Sequence, residues 1–300
     1  MDNSVILGIN ADFYKRLHEK GEFPFKNKIY TEVPSKSSYQ DYLFNGNYRS
    51  FVEWTAVPTW SNYYNKDFKY TISNKKWISG IIAVDKMDYR NSKGNLGPNY
   101  ELGMQQAVDF WYEYPLNLIA ALCDANGNAY DGNPFFANSR TGTGVVNVDN
   151  IVSGTGTSLA QIYTDMNNAI DLMLGMVDTN GNAFNVSTHY VVMIPGHLFS
   201  KFNTLAVSDT LYISGTLSNS LKGLFDICIN PYLGSSDNDW YLINANAPVK
   251  PFIYQVNKEP EWIVDDSNPA DPYIHVFSTS YCNAGYGVPY GIVLVSNTGY

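Results

Sequence analysis

Asp124, Asn126 and Asn128 stand two residues apart in CDANGNAYDGNPFFANSR, residues 123–140, with glycines among them. Oxygen-bearing side chains at that spacing are how a calcium loop begins. A similar stretch, DTNGNAFN, runs from Asp178 to Asn185. An EF-hand loop needs glycine at its sixth position, where the chain turns sharply, and a bidentate Glu at its twelfth. Here Gly127 and Gly181 fall at the fourth position, and the twelfth holds Phe135 or His189. Neither loop can finish a coordination shell. Asn-Gly pairs supply the positive-φ residues of tight turns, and Asp and Asn side chains fold back on their own backbone. Asn126-Gly127 and Asn180-Gly181 are therefore read as structural turns. No metal ligand set and no cofactor is expected.

Other residues with chemical potential form no constellation. His18, His189, His197 and His275 have no Cys or Glu at ligand spacing. There is no G-x-S-x-G, P-loop or H-E-x-x-H. Gly154-Thr155-Gly156-Thr157 lacks the Lys-Ser/Thr ending of a phosphate loop and reads as a flexible lead into a helix. Asp265-Asp266 sits in a turn-rich stretch that solvation explains. Cys123, Cys228 and Cys282 are widely spaced and odd in number, and read as small buried residues in a reducing compartment. No catalytic residue emerges, and an enzyme is the least supported class.

Composition points to burial and association. The 300 residues are 45% hydrophobic and only 16% charged, with 24 Tyr and 15 Phe. Depleted charge with abundant aromatics marks the centre of protein interfaces; aromatic strands are the plainer source of the same signal. Net charge is −9 but uneven: residues 1–100 hold 14 Lys+Arg against 10 Asp+Glu, and residues 101–300 hold 5 against 18. Contact between the basic part of one copy and the acidic part of another would use that split. No dense basic patch favours nucleic acid as a specific partner. The opening MDNSVILGINADFYKRL has no basic segment ahead of its short apolar run, so a secretory leader is not expected. No apolar run reaches the length of a membrane span.

The elements that carry these residues follow from periodicity. Asp12–Glu19 suits a short amphipathic helix, and KIYTEVPSKSSYQDY looks extended; with no evident core of its own, this region should lie on something else. Phe68–Ser73 and Trp77–Val84, split by Asn74-Lys75-Lys76, read as a β-hairpin. From Gly97-Pro98-Asn99 a helix of about seven turns opens, its apolar residues Leu102, Ala107, Phe110, Trp111, Leu118, Ala121 and Leu122 spaced by threes and fours. Pro115 inside it should kink the helix or start a second one. Ser158 is the N-cap expected for a helix to Val177, with Leu159, Ile162, Met166, Ala169, Ile170, Met173 and Leu174 on its apolar side. Strand HYVVMI, a short helix HLFSKFNTL, a polar stretch from 208 to 220, and strands LFDICIN, WYLINA, PFIYQV, EWIVDD, IHVFSTSY and YGIVLVSN complete a mixed α+β chain.

The order of these features resembles the Mu-type major head subunit of tailed bacteriophages, a coat protein of the Hong Kong 97-like fold. FVEW stands ahead of YTISNKKWISGIIAVDKMDY. Leu96-Gly97 precedes the long helix, which carries its proline in YEYPLNLIAALC. YDGNPFF, WYLINANAPVKPFIYQVNKEPEW and CNAGYGVPYGIVLVSN follow in register. The likeness spans roughly residues 48–298. Two places depart from it: DYRNSKGN is mixed in charge where the family is acidic, and ANSR stands where the family often has a histidine.

The resemblance implies an N-terminal arm (1–45), an extended β-hairpin loop (46–90), a peripheral domain with a long spine helix (91–140), an axial domain (141–245), and a return to the peripheral sheet (246–300). It implies contact between subunits through the extended loop at Trp54, Trp60, Tyr63, Tyr64, Lys66, Lys69, Lys75, Lys76 and Trp77, with a spine-helix kink at Pro115. The implied function is a major capsid protein that self-assembles into hexamers and pentamers of an icosahedral head around double-stranded DNA. Its partners would be copies of itself, a separate scaffold protein, a portal, possible decoration proteins and DNA held without sequence preference. It would be part of the virion, assembled in the host cytoplasm and away from any membrane. Two alternatives stay open: an encapsulin-like nanocompartment shell of the same fold, and a carbohydrate-binding or tail protein suggested by Tyr and Asn content.

Overall fold

The computed structural model describes residues 3–45, 67–87, 98–142, 146–177, 183–186, 189–213, 215–234 and 238–297. Two sheets organise them. The first has four strands in the order β1 (Tyr30–Pro34), β11 (Phe252–Asp265), β12 (Tyr273–Tyr286) and β4 (Lys75–Asp85). Helices α1 (Asn3–Glu19) and α2 (Pro98–Ala125) pack against it. The second has five strands in the order β5 (Ile151–Ser153), β13 (Ile292–Ser296), β10 (Trp240–Asn244), β6 (Tyr190–Ile194) and β9 (Phe225–Ile229). Helices α3 (Leu159–Gly175) and α4 (Phe199–Val207) lie against it. Two ribbons stand apart from these sheets: β2 (Tyr39–Asn45) with β3 (Asp67–Ser73), and β7 (Thr210–Tyr212) with β8 (Thr216–Ser218).

α2 is one helix of 28 residues, about 42 Å long. It runs unbroken through Pro115. Tyr100, Met104, Ala107, Val108, Trp111, Leu118, Ile119 and Cys123 form its buried side, while Leu102 and Ala121 point to solvent. Trp111 fixes the crossing: its indole N–H donates to Ser278 Oγ at 2.7 Å, and that hydroxyl donates to the Ser79 carbonyl at 3.0 Å. α3 begins where the sequence places it. Ser158 caps it, accepting from the Gln161 N–H in a full capping box. Ile162, Met166, Ala169 and Met173 are buried along its inner side, Leu159 and Ile170 are half-buried, and Leu174 points to solvent.

Four expectations change. β3 and β4 do not face each other. β3 pairs with β2, and β4 pairs with β12. A tight reversal at 74–76 needs positive-φ residues, and none of Asn74, Lys75 or Lys76 has one. The chain instead stays extended, and Asn74 ties the junction down by donating to the Ser37 carbonyl at 2.8 Å. Second, the N-terminal region does lie on another part of the molecule, the body of its own chain, but its helix starts earlier than expected. Phe13 is fully buried and stacks on Trp262 at 5.4 Å, and β1 joins β11 in parallel. The N-terminal helix extends back to Asn3 rather than starting at Asp12.

Third, segment 246–300 does not return to one sheet. β11 and β12 complete the four-stranded sheet, but β13 lies inside the five-stranded one, between β5 and β10. IVLVS is buried on both faces there, which an uninterrupted apolar run requires. Fourth, PFIYQV and EWIVDD are one strand, with register shifts between Val256 and Glu261 absorbing Pro260.

Candidate functional site

The loop 123–140 that opened the sequence analysis is a joint. Asn126 takes φ +39° and ends α2, so the asparagine rather than Gly127 supplies the positive-φ residue. Its side chain accepts from the Phe136 N–H at 2.7 Å and donates to the Phe136 carbonyl at 3.0 Å. Gly127 serves close approach instead: its N–H donates to the Tyr286 hydroxyl at 2.7 Å, and a Cβ there would lie 3.2 Å from that ring. The same hydroxyl donates to the Leu122 carbonyl at 2.7 Å. The Asn126 side chain is thus committed to backbone, as a structural turn requires. Asn180 and Gly181 lie outside the described residues; the second loop is flanked by an isolated antiparallel bridge between Val177 and Ala183, as the first is by Asn128 and Pro134.

At the loop's centre is a buried ion pair. Arg140 Nη1 lies 2.6 Å from Asp131 Oδ2, with the two side chains 1% and 2% exposed. The other amino group of the guanidinium donates to the carbonyls of Pro134, at 2.8 Å, and Phe135. Asn150, fully buried, donates to the carbonyls of Phe135 and Pro289 and accepts from the Ala137 N–H. Sequence reasoning passed over Arg140 and Asn150. One signal was available: Arg140 is the only Lys or Arg between residues 101 and 200.

The joint holds the β2–β3 ribbon. Phe44 stacks on Tyr130 at 4.7 Å, and Phe68 lies 5.6 Å from the same ring. Tyr42 donates to Gln255 Oε1 at 2.9 Å. Ile72 sits over Gly285, where a Cβ would come within 2.5 Å of it. These contacts fasten the inner face of the ribbon to its own body. The outer face is different: Leu43 is 74% and Tyr39 55% exposed. Lys69 lies there, 2.8 Å from Asp41 of the opposite strand. Hydrogen bonds from Lys69 and Thr71 hold the Asp41 carboxyl below its usual range.

The residues expected at a subunit contact therefore divide. Trp54, Trp60, Tyr63, Tyr64 and Lys66 lie outside the described residues. Lys69 has an intramolecular partner. Trp77 is half-buried in its own chain, donating to the Cys282 carbonyl at 3.0 Å and meeting Tyr114 edge-on at 5.5 Å. Lys75 and Lys76 are exposed at the start of β4. Pro115 is buried in the middle of α2.

Among the described residues no reactive group stands out. His18 meets the Tyr14 carbonyl, His189 meets Asp226, His197 meets Asn238 and His275 meets Asp271. All three cysteines are buried, and burial pushes the Cys228 thiol up to about 12. The 154–157 loop is pinned rather than flexible: Thr155 donates through both N–H and Oγ1 to the fully buried Asp165, each at 2.9 Å. Among the described residues no cluster of His, Cys, Asp and Glu could hold a metal, and no helix is long and apolar enough to cross a membrane.

Solved structures share this arrangement. The capsid of cyanophage P-SCSP1u superposes with a TM-score of 0.56 at 12% identity, over 92% of this chain and 88% of that one. The mature capsid of bacteriophage PhiM1 gives 0.55 at 13%, over 93% and 88%. The virus-like particle from Pyrococcus furiosus gives 0.57 at 9%, over 97% and 99%. At such identities the likeness establishes the fold, which is the Hong Kong 97-like coat-protein fold. No curated protein sequence matches the chain. A family model does, over residues 3–163, which include both helices of the first sheet, the ribbon and the joint. The chain belongs to the family of the Mu-like prophage major head subunit gpT: it is a major capsid protein of a tailed phage, a structural component of the head.

Proposed function

We propose that this subunit assembles into hexamers and pentamers of an icosahedral head that encloses double-stranded DNA. The four-stranded sheet with α1 and α2 would be the peripheral body, α2 its spine, and the five-stranded sheet with α3 and α4 the axial body. The observation that carries the reading, beside family membership, is the β2–β3 ribbon. Two strands alone are marginally stable in water, and only the inner face of this ribbon has its own body to rest on. The outer face, with Leu43 and Tyr39, would meet a neighbouring subunit, and residues 46–66 between the strands would extend that contact. A separate scaffold protein, a portal and packaged DNA would complete the partners, with assembly in the host cytoplasm.

Electron microscopy with mass measurement tests this on the purified chain, alone and co-expressed with a scaffold candidate encoded beside it. Closed shells or five- and six-membered rings are the expected result. Removing residues 46–66 should leave a folded subunit that no longer closes. A monodisperse monomer or trimer under every condition would refute the proposal. A nanocompartment shell shares the fold, and family membership favours the head. Purified shells that hold an enzyme and exclude DNA would reverse that preference. The glycan-binding reading gains nothing from the family match.

A further inference from the structure

A groove of about 370 Å³ runs between the end of α1, the loop after it, the middle of α2 and β11. Trp111, Pro115 and Tyr254 wall it, and Glu22, Glu32 and Glu259 bring carboxylates to it. Lys26 bridges Glu22 at 3.3 Å and Glu32 at 3.2 Å. Glu259 is exposed and pairs with no cation among the described residues. Among the lining residues three carboxylates thus face one ammonium group, with the His18 imidazole beside them; Lys20, over the Tyr112 ring at 4.7 Å, is already paired with Asp109. The excess of negative charge acts on the groove's own lining: burial raises the Tyr30 phenol, and Glu32 and Glu22 push it further. Aromatic walls and a spare carboxylate suit an ammonium group on an alkyl stem, which packs its methylenes on rings and donates from its tip.

In a shell built from one chain, the donor of that cation must lie on the same sequence. Residues 101–300 hold only 5 Lys+Arg, which directs attention to the first hundred. Among the described cations there, Lys15, Arg16, Lys20, Lys26, Lys28, Lys69 and Lys86 each pair with a carboxylate of their own chain. Lys36, Lys75 and Lys76 do not. Lys36 stands alone in a loop. Lys75 and Lys76 are adjacent and exposed, and the exposed Ile78 and Tyr281 lie beside them. That patch is basic and apolar where the groove is acidic and aromatic. The two also sit at different edges of the four-stranded sheet: the lysines begin β4, and the groove borders β11 and the end that carries β1. A contact between opposite edges is head-to-tail, the type that closes rings.

We propose that the Glu22–Glu32–Glu259 groove receives Lys75 and Lys76 of a second copy of this chain. The inference rests on the capsid reading above and adds the receptor surface to it. Charge reversal tests it on the full chain, with shell and ring yield followed by sedimentation and microscopy at low salt. Glu259→Lys alone, and Lys75→Glu with Lys76→Glu, should each lower yield by about ten-fold or more while far-UV circular dichroism and the unfolding midpoint stay at parental values. Combining the three substitutions should restore yield to within about three-fold of the parent. A disulfide between copies, formed on oxidation of Glu259→Cys mixed with Lys76→Cys, is the expected positional readout.

Folded reversal variants that assemble as the parent does, or a combination that recovers nothing, would overturn the groove assignment and leave the capsid reading standing. Failure of the unsubstituted chain to form any ring or shell would overturn both.

Discussion

Arg140→Met should be among the most damaging substitutions in the chain. The guanidinium makes three hydrogen bonds in a site where both ion-pair side chains are nearly inaccessible. Removing it leaves the Asp131 carboxylate out of water with no counter-charge, and breaking a buried pair this way costs about 3–5 kcal/mol. A total stability of roughly 5–15 kcal/mol makes that a large fraction. At about 2 °C per kcal/mol for a chain this long, the midpoint should fall by roughly 6–10 °C. The double variant Asp131→Asn with Arg140→Met removes the stranded charge as well. It then loses chiefly the donors to the Pro134 and Phe135 carbonyls, and Phe135 keeps Asn150. At about 1 kcal/mol per hydrogen bond it should be roughly 1–3 kcal/mol more stable than the single variant. Urea unfolding of dissociated subunits, followed by tryptophan fluorescence, measures both differences. The joint also seats the ribbon through Tyr130, so shell yield should fall with stability. A single variant within about 1 kcal/mol of the parent, or a double variant no better than the single, would refute the reasoning.

Two further outcomes follow from local geometry. Ser158→Ala removes the α3 capping box and should cost about 1 kcal/mol in the same assay; an unchanged midpoint would show that Gln161 and the Thr155–Asp165 contacts hold the helix start without it. Lys28 and then His189 hydrogen-bond to Asp226 and hold its carboxyl below the usual range. A depressed carboxyl adds stability that is present above its unfolded pKa, about 3.9, and is lost as pH falls through the lower folded value. Lys28→Met should therefore be less stable than the parent at pH 7, and the gap should close below about pH 4. A gap of equal size at pH 3 would assign the loss to packing instead.

Much was settled by the sequence alone. Local rules fix what local residues decide: the α2 span, the Ser158 cap, the turn at Asn126-Gly127 and the strand character of β13 all follow from periodicity, capping and turn chemistry within a few residues. The failed calcium reading was legible in the same way, because coordination spacing is local. The family emerged from the order of such features. Tertiary structure decided what depends on distant partners. Whether β3 pairs with β4 or with β2 turns on competition among strands far apart in sequence, and nothing in Asn74-Lys75-Lys76 announces the outcome. Trp77 meets Tyr114 and the Cys282 carbonyl, partners far from it in sequence that its own neighbourhood does not announce. Phe13 finds its core on Trp262, almost the full chain away. Arg140 gains its meaning only once the loop closes around it and water leaves, for a lone arginine in an acidic stretch reads as surface until its burial is known.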